Sequence, residues 1–293
     1  MANSTFNGPV RSENNFKVIS KAASTGIVAD QTVGGGLNDA RRYYLEEYFA
    51  HLPGINGDLA STTESTNTPV SRDFEILGTN HTSALATYSA TVAGMAMTTA
   101  TADQDRMIVA PHLDTKQTAW TGTKWGTENQ VHWECGIRTS AAIDNQLIWA
   151  GLKLTNVVEG ATDDDKAFFT FATDSSNAGT AFSDFTLLHF IHSIGGTDYI
   201  SALPITVAAS TNYHLKIVFD SDRKVSIFVD GVQYNITSTA GSTGGTSVTT
   251  GTTKSAAMTD NVDLIPYIGI ENGDAAAAVL NVQFEAISRL IFE

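Results

Sequence analysis

The chain has 293 residues, of which 16% are charged and 42% hydrophobic, and its formal net charge at pH 7 is -14. This composition supports one large or two small folded domains and excludes disorder throughout. The acidic balance argues against nucleic acid as a partner, since phosphate binding depends on Lys and Arg. The absence of a long apolar run, of an N-terminal export signal and of a second cysteine beside Cys135 predicts no membrane span, no Sec export and no intramolecular disulfide.

Residues 1–72 differ from the rest in being rich in Asn, Ser, Thr and Gly, and we interpret them as an extended N-terminal arm ending in a polar linker. One short helix is predicted inside the arm, over residues 38–49, with Asn38 as its N-cap. Because a helix this short is marginal in water, its apolar stripe is expected to dock either on the chain's own domain or on another subunit. The stripe consists of Tyr44, Leu45, Tyr48 and Phe49.

Residues 73–293 show strand after strand separated by turn residues, which predicts an all-β sandwich. Alternation over residues 130–138 indicates a half-buried strand, and the nearly continuous apolar run at 147–154 indicates a strand covered on both faces. The dipeptide Asp230-Gly231 predicts a two-residue hairpin.

Near the C-terminus, residues 264–270 and 279–292 are two further strand candidates. Period-two alternation in the second predicts that Leu280, Val282, Phe284 and Ala286 share one face, with Asn281, Gln283 and Glu285 on the other. The Gly/Thr/Ser-rich segment 238–255 is either an exposed contact loop or disordered, and the sequence does not choose between these interpretations.

The run YHLKIVFDSDRKVSIFVDGVQYNI, residues 213–236, resembles the hairpin of concanavalin A-like/laminin-G domains, and WECGIRTS, IWAGLKLTN and DLIPYIGIEN resemble the core strands of the same family. The resemblance implies a concanavalin A-like jelly-roll β-sandwich. With the opening FNGPVRSENNFKVIS, the whole chain resembles virion structural proteins of marine tailed bacteriophages that decorate the capsid.

This second resemblance implies a capsid decoration (cement) protein, made in the host cytoplasm and located on the capsid exterior of the virion. Its partners would be the major capsid protein or other virion subunits, and it would form a homo-oligomer, with a trimer as one form. The arm would provide the contacts by strand addition, multiplied over many copies. The expected partner-binding residues are Phe6, Val10, Phe16, Val18, Ile19, Tyr44, Tyr48 and Phe49.

No catalytic constellation stands out, and the sequence-based expectation is that the protein is not an enzyme. A sandwich glycoside hydrolase needs two carboxylates on one strand face. Glu128 and Glu134 have suitable even spacing, but Gln130 and His132 occupy the places between them. Residues three apart on a strand point to opposite faces, which argues against metal sites at His189 with His192 and at His132 with Cys135.

The alternative function is a carbohydrate-binding tail fibre or surface-adhesion module. Trp120 and Trp125 are candidates for stacking on sugars, although packing inside the protein is the favoured interpretation. No cofactor is expected. Asp163, Asp164 and Asp165 are calcium-ligand candidates, for which a solvated loop is the favoured interpretation.

Overall fold

A computed structural model describes residues 18–21, 28–31, 42–55, 71–112, 118–155, 163–173, 182, 185–241, 245–248 and 251–291. Within these ranges the chain is almost entirely β-strand, and two sheets face each other across a hydrophobic core. The predicted jelly-roll β-sandwich is confirmed. None of the helices in the described ranges has the length and apolar character needed to cross a membrane.

The elements follow one another along the described chain with one short helix among the strands. The first strands are β1 (Val18–Lys21), β2 (Val28–Gln31), β3 (Arg42–Glu47), β4 (Pro53–Ile55), β5 (Ser71–Thr79), β6 (Ala86–Ser89), β7 (Gly94–Thr98) and β8 (Arg106–Pro111). Helix α1 (Ala119–Gly122) comes next, and two 3-10 turns span Ser83–Leu85 and Thr127–Asn129. The remaining strands are β9 (His132–Thr139), β10 (Gln146–Lys153), β11 (Lys166–Ala172), β12 (Leu187–Ile194), β13 (Thr197–Thr206), β14 (Asn212–Phe219), β15 (Val225–Val229), β16 (Val232–Tyr234), β17 (Thr246–Ser247), β18 (Ile265–Asn272) and β19 (Val279–Leu290).

The strands form two large sheets and a separate β1-β2 pair. The nine-stranded sheet has the order β17-β13-β12-β11-β10-β18-β8-β5-β4. The eight-stranded sheet has the order β16-β15-β14-β9-β19-β7-β6, and β3 also pairs with β19. Pairing within the two sheets is antiparallel except for β4 with β5 and β13 with β17.

Side-chain alternation explains how the sheets close over the core. In β14 every second residue, from Tyr213 to Phe219, is buried, whereas β10 is buried at every position. The continuous burial of β10 confirms the prediction for residues 147–153, whereas Leu154, the last residue of the apolar run, is 38% exposed. A second apolar cluster, which includes Trp149, Phe168 and Tyr267, covers the outer side of the nine-stranded sheet.

The predicted Asp-Gly hairpin is present between β15 and β16. Asp230 and Gly231 both have positive φ, 50° and 78°, and Val229 pairs with Val232. Two left-handed residues in a two-residue loop give a type I′ turn, whose twist matches that of the strands.

The described parts of the loop 238–255 are held against the sandwich. Thr246–Ser247 pairs with β13, and Ile236 and Thr252 exchange two backbone hydrogen bonds of 2.7 and 2.9 Å. Disorder is therefore the wrong interpretation for these parts.

The helix predicted over residues 38–49 is wrong for the part that the structure describes. Residues 42–47 form β3, which pairs with β19 over six residues, from Arg42 opposite Leu290 to Glu47 opposite Glu285. Aromatic residues such as Tyr43 and Tyr44 suit strands, and a neighbouring strand edge overrides a weak helix preference. The sandwich therefore includes residues 42–55, which the sequence assigned to the arm.

Alternation along β19 also differs from the prediction. A β-bulge between Val282 and Phe284 inserts one extra residue, so the strand reverses which residues face the core. Val282 lies opposite the inward Ile137, but Phe284 lies opposite Gly136 on the outer side. Glu285, expected on the outer side, instead faces the core opposite Cys135.

Glu285 is a fully buried carboxyl group between the two sheets. Its Oε1 accepts a hydrogen bond of 2.8 Å from Trp133 Nε1, and its neighbour across the strand pair is Glu47. Burial raises the pKa of Glu285 to about 8, and the charge of Glu47 adds to the rise, whereas the Trp133 hydrogen bond opposes it. Glu285 is therefore protonated in the folded protein at neutral pH.

This raised pKa predicts that the free energy of unfolding falls as the pH rises from 5 to 8. In this window the folded state keeps the proton that the unfolded state loses, at about 1.4 kcal/mol per pH unit for one group. Glu285→Gln keeps an acceptor for Trp133 and should flatten the slope by up to that amount. Denaturant unfolding at several pH values measures it, with Glu46→Gln, on the opposite face of the sheet, as the control. Equal slopes in wild type and Glu285→Gln would contradict the assignment.

Candidate functional site

The outer side of the eight-stranded sheet combines charged, polar and aromatic side chains from four neighbouring strands. The strands β3, β19, β9 and β14 lie side by side, and their outward positions follow from the register of pairing with inward Trp133, Cys135 and Ile137. We call this surface the front face. It comprises Arg42, Tyr44, Glu46, Tyr48, His132, Glu134, Arg138, His214, Lys216, Phe284 and Ser288.

Glu134 is the electrostatic centre of the front face. His214 Nε2 lies 2.8 Å from its Oε2, and Lys216 Nζ lies 3.8 Å from the same oxygen. The hydrogen bond from His214 lowers the pKa of Glu134, with help from the Lys216 charge and against the effect of burial. Glu134 is therefore an ionised hydrogen-bond acceptor at neutral pH.

His132 lies beside Glu134 on the same face of β9. Burial lowers the pKa of His132 to about 4, and the charges of Arg42 and Lys216 lower it further, against the opposing effect of Glu134. The imidazole is thus neutral at pH 7, with one ring nitrogen that donates and one that accepts. Because burial and the two cations disfavour the protonated ring, this imidazole is a weak base.

Arg42 is fixed in place by hydrogen bonds to two neighbouring segments. Its Nη2 donates to the Gln130 carbonyl at 2.8 Å and to the Ser288 carbonyl at 3.1 Å, and its Nε donates to Ser288 Oγ at 3.1 Å. These contacts hold a cation at one end of the front face, next to His132.

Aromatic rings form the second part of the front face. Phe284 lies over Gly136, where an added Cβ would come within 2.7 Å of the Phe284 ring. The His214 ring meets Phe284 edge-on at 5.7 Å between centroids, and the Tyr48 ring lies 6.0 Å from Phe284 on another side. Tyr48 is 57% exposed and donates its hydroxyl hydrogen to Glu46. The three rings, with Tyr48 and His214 inclined to Phe284 at 40° and 60°, form a contiguous and partly exposed aromatic cluster, which we call the platform.

Tyr44 stands on β3 opposite Ser288. Burial, assisted by the charges of Glu46 and Glu134, raises the pKa of Tyr44 to about 12. A hydrogen bond to Glu46 contributes to this rise, so the protonated hydroxyl acts as a donor to Glu46.

The residues expected to bind partners lie in different parts of the structure. Tyr44 and Tyr48 lie on the front face, but Phe49 is fully buried and packs edge-on against Phe74 at 5.4 Å, so its assignment as a partner contact is wrong. Val18 and Ile19 belong to β1. Three residues lie outside the described part of the chain: Phe6, Val10 and Phe16.

The tryptophans considered for sugar stacking lie inside the protein. Trp120 and Trp125 are 4% and 2% exposed, and Trp125 Nε1 donates to the Trp120 carbonyl at 2.7 Å. Neither ring is placed to meet a ligand from solution, and the packing interpretation describes their surroundings.

The three consecutive aspartates do not converge on a common point. Asp163 accepts hydrogen bonds from the Leu154 and Thr155 backbone at 3.0 Å, Asp165 accepts from Thr259, and Asp164 is exposed. The described residues contain no group of three or more His, Cys, Asp or Glu side chains that could hold a metal ion. The predicted calcium role of the aspartates is not supported by their geometry.

The other candidate pairs are also separated. Glu128 lies in a 3-10 turn before β9 and pairs with Lys124 at 2.9 Å, away from the His214 and Lys216 partners of Glu134. Cys135 faces the core, and burial raises the pKa of its thiol well above the usual range. His189 and His192, three apart on β12, are both buried and stack on different rings, Phe182 and Tyr199.

Sequence reasoning gave no functional role to seven of the eleven front-face residues: Arg42, Glu46, Arg138, His214, Lys216, Phe284 and Ser288. One signal was present. The alternation of residues 213–219 already places His214 and Lys216 together on the side of the strand away from the core. Their neighbours Glu134 and Phe284 come from distant parts of the chain, and only the strand order brings them together.

Comparisons with known proteins find similarity at the level of structure. No protein-family model matches the chain, and no curated protein matches it in sequence. Three similar solved structures are a protein of unknown function from Shewanella oneidensis MR-1 (11% identity, 85% of this chain and 87% of that chain, TM-score 0.48), a glycosyl hydrolase family protein from Mycobacterium fortuitum (8%, 83% and 98%, 0.47) and an alginate lyase from Corynebacterium sp. (9%, 72% and 92%, 0.43). At these identities the similarity concerns the fold alone.

The similar structures also include a potassium-bound carbohydrate recognition domain and a galectin. Several structural neighbours of this chain are thus named as polysaccharide lyases, as a glycosyl hydrolase family protein or as a carbohydrate recognition domain. None of the comparisons supports the assignment as a capsid decoration protein.

The exclusion of an enzymatic function does not hold. It rested on a search for paired carboxylates, and the solved structures similar to this chain include several alginate lyases and a glycosyl hydrolase family protein. The absence of two carboxylates on one strand face is therefore not sufficient to exclude catalysis.

The electrostatics of the front face predict how His132 titrates. In the folded protein its ring should stay neutral down to about pH 4, and Lys216→Met should raise the pKa because one of the repelling cations is removed. Nuclear magnetic resonance of the histidine ring signals over pH 3–8 measures both values. Lys224→Met, in the turn before β15, is the control and should leave the pKa of His132 unchanged. A pKa near 6.5 for His132 in wild type would contradict the assignment.

Proposed function

We propose that the protein binds a polysaccharide chain on its front face. The observation that supports this most directly is the platform of Tyr48, Phe284 and His214, placed next to fixed hydrogen-bonding groups at Glu134, Lys216 and Arg42 on one open sheet surface.

The two parts of the front face match the two sides of a sugar. The C–H faces of sugar rings pack on aromatic rings, whereas the hydroxyl groups need donors and acceptors. Glu134 accepts, Lys216 donates and neutral His132 does both, while Arg42, which donates to Gln130 and Ser288, adds positive charge. Strand spacing gives the surface from β3 to β14 a width of about 14 Å, so it suits an extended chain better than a small compact ligand.

Cleavage of the bound chain is the second candidate function. It is favoured by His132 on the front face, whose neutral imidazole has a ring nitrogen with a lone pair, and whose basicity is weakened by burial and by the cations Arg42 and Lys216. A carbohydrate with an acidic C–H or hydroxyl proton near this nitrogen would be a suitable substrate.

The test of binding is affinity electrophoresis or calorimetry with a panel of neutral and uronic acid polysaccharides. Tyr48→Ala removes an exposed ring of the platform and should weaken binding about tenfold, equivalent to ~1.4 kcal/mol. The matched control is Tyr88→Ala, because Tyr88 is equally exposed at 58% but lies on β6 opposite the inward Met95.

The proposal would be contradicted if the wild-type protein bound no polysaccharide in the panel. It would also be contradicted if Tyr88→Ala and Tyr48→Ala lost the same amount of binding affinity. The same mixtures are assayed for new reducing ends and for unsaturated chain ends. Their appearance in wild type and loss in His132→Ala would establish cleavage as well as binding.

Attachment to a virion stays a prediction of the sequence resemblance. It assigns the arm contacts to the major capsid protein or other virion subunits, and it is compatible with a polysaccharide-binding front face on a tail fibre or a surface-adhesion module. Oligomerisation of the chain is part of the same prediction.

A further inference from the structure

Asn272 lies at the end of β18, and its side-chain amide is surrounded by backbone carbonyl groups. The residue is fully buried. Four carbonyl oxygens lie around its Nδ2, at 3.3 Å for Ala100, 2.8 Å for Ala102, 2.9 Å for Asp274 and 3.0 Å for Ala276. We call these four oxygens the carbonyl cage.

The carbonyl cage contains more acceptors than the amide can serve. A side-chain amide nitrogen carries two hydrogens, so at most two of the four carbonyls receive a well-directed bond from it. The Ala102 carbonyl also accepts from the Asp105 backbone at 3.1 Å. Several partially negative oxygens therefore converge on one buried point, which favours a positive charge there.

The two loops that form the cage are held in this conformation by their own carboxylates. Asp105 accepts from the Ala102 backbone at 2.7 Å and from Asn80 Nδ2 at 2.6 Å. Asp274 accepts from the Ala276 backbone at 2.9 Å and from Asn145 Nδ2 at 2.9 Å. Alternate carbonyls, two residues apart in each loop, are thereby turned towards the same point before any ligand arrives.

We propose that the carbonyl cage is a metal-cation site, separate from the front face, in which the Asn272 side chain turns so that Oδ1 becomes a fifth oxygen ligand. The two amide atoms have nearly the same shape, so the exchange needs only a rotation about the last side-chain bond with a small withdrawal from the cage. Neutral oxygens are ligands of hard cations, and the donor set differs from side-chain clusters of His, Cys, Asp and Glu.

The kind of oxygens in the cage selects among hard cations. Mg²⁺ demands near-ideal octahedral geometry and usually keeps several of its waters, which a buried and irregular set of protein oxygens does not provide. Ca²⁺ takes oxygens at about 2.3–2.6 Å and tolerates irregular sets that include backbone and Asn carbonyls. Rings of backbone carbonyls also replace the hydration shell of K⁺. The site is therefore one for Ca²⁺ or K⁺, and the net charge of -14 raises the local cation concentration.

The experiment uses the full chain, treated with a chelator and dialysed into a buffer with a large organic cation. Ca²⁺, K⁺, Na⁺ and Mg²⁺ are titrated separately, and binding is followed by calorimetry and by the melting temperature. We expect saturable binding and a rise in melting temperature with Ca²⁺ or K⁺, but not with Mg²⁺. The cation whose binding saturates at the lower concentration is the one for which the site is built.

Asn272→Asp places a carboxylate in the cage and removes both amide donors. If a cation binds there, Ca²⁺ should bind this variant about tenfold more tightly than wild type, and the variant should regain in Ca²⁺ the stability that it loses in the chelated buffer. Gln233→Ala is the control, because Gln233 is an exposed amide on β16, at the edge of the other sheet, and its loss should leave the affinity unchanged.

If Asn272→Asp fails to fold, the titrations of the wild-type protein decide whether the cage binds a cation. Absence of saturable binding of Ca²⁺ and K⁺ to wild type would overturn the proposal and leave Asn272 as a residue that only ties two loops together. Binding that persists unchanged in Asn272→Asp would also overturn it, because the ion would then lie elsewhere.

Discussion

The structure depends on the pairing of β19 with three other strands. β9 follows one edge of β19 along most of its length, while β7 and β3 share the other edge in succession. This arrangement makes β19 the central strand of the eight-stranded sheet and brings residues 42–47 into the sandwich. Without this pairing, Arg42 and Tyr44 of β3 would not lie next to His132 and Glu134. The front face would lose these two residues and the neighbouring Tyr48.

The sequence predicted the sandwich because period-two burial and turn chemistry are local properties. Alternation in β14, continuous burial in β10 and the positive φ values at Asp230 and Gly231 need no knowledge of distant residues. The helix prediction over residues 38–49 failed for the opposite reason. β3 carries Glu47 on its inward face, which hides the alternation, and its conformation is decided by a partner strand more than 230 residues later in the chain.

The front face could be predicted only in fragments. His214 with Lys216, and His132 with Glu134, follow from alternation within single strands, but the ion pairs and ring contacts between strands depend on sheet order. For the tryptophans the favoured packing interpretation agrees with the structure, although exposed aromatic rings and core rings are equally compatible with a turn-rich segment. Trp120 in fact packs edge-on against Phe74 at 4.8 Å, beneath the surface on which a ligand would lie.

The β-bulge in β19 connects stability with the proposed binding surface. A single extra residue between Val282 and Phe284 turns the Phe284 ring outward over Gly136, and the same shift turns Glu285 inward next to Glu47. Without the bulge, Phe284 would fill the core and a carboxylate would stand on the outer side, which is the pattern that the alternation had predicted. Burying a carboxyl group destabilises the fold as the pH rises, whereas an apolar ring at that position would not. The bulge thus places the Phe284 ring on the front face and the protonated Glu285 in the core at the same time. Removing the bulge would return Glu285 to solvent, but it would also remove from the front face the ring on which a sugar would stack.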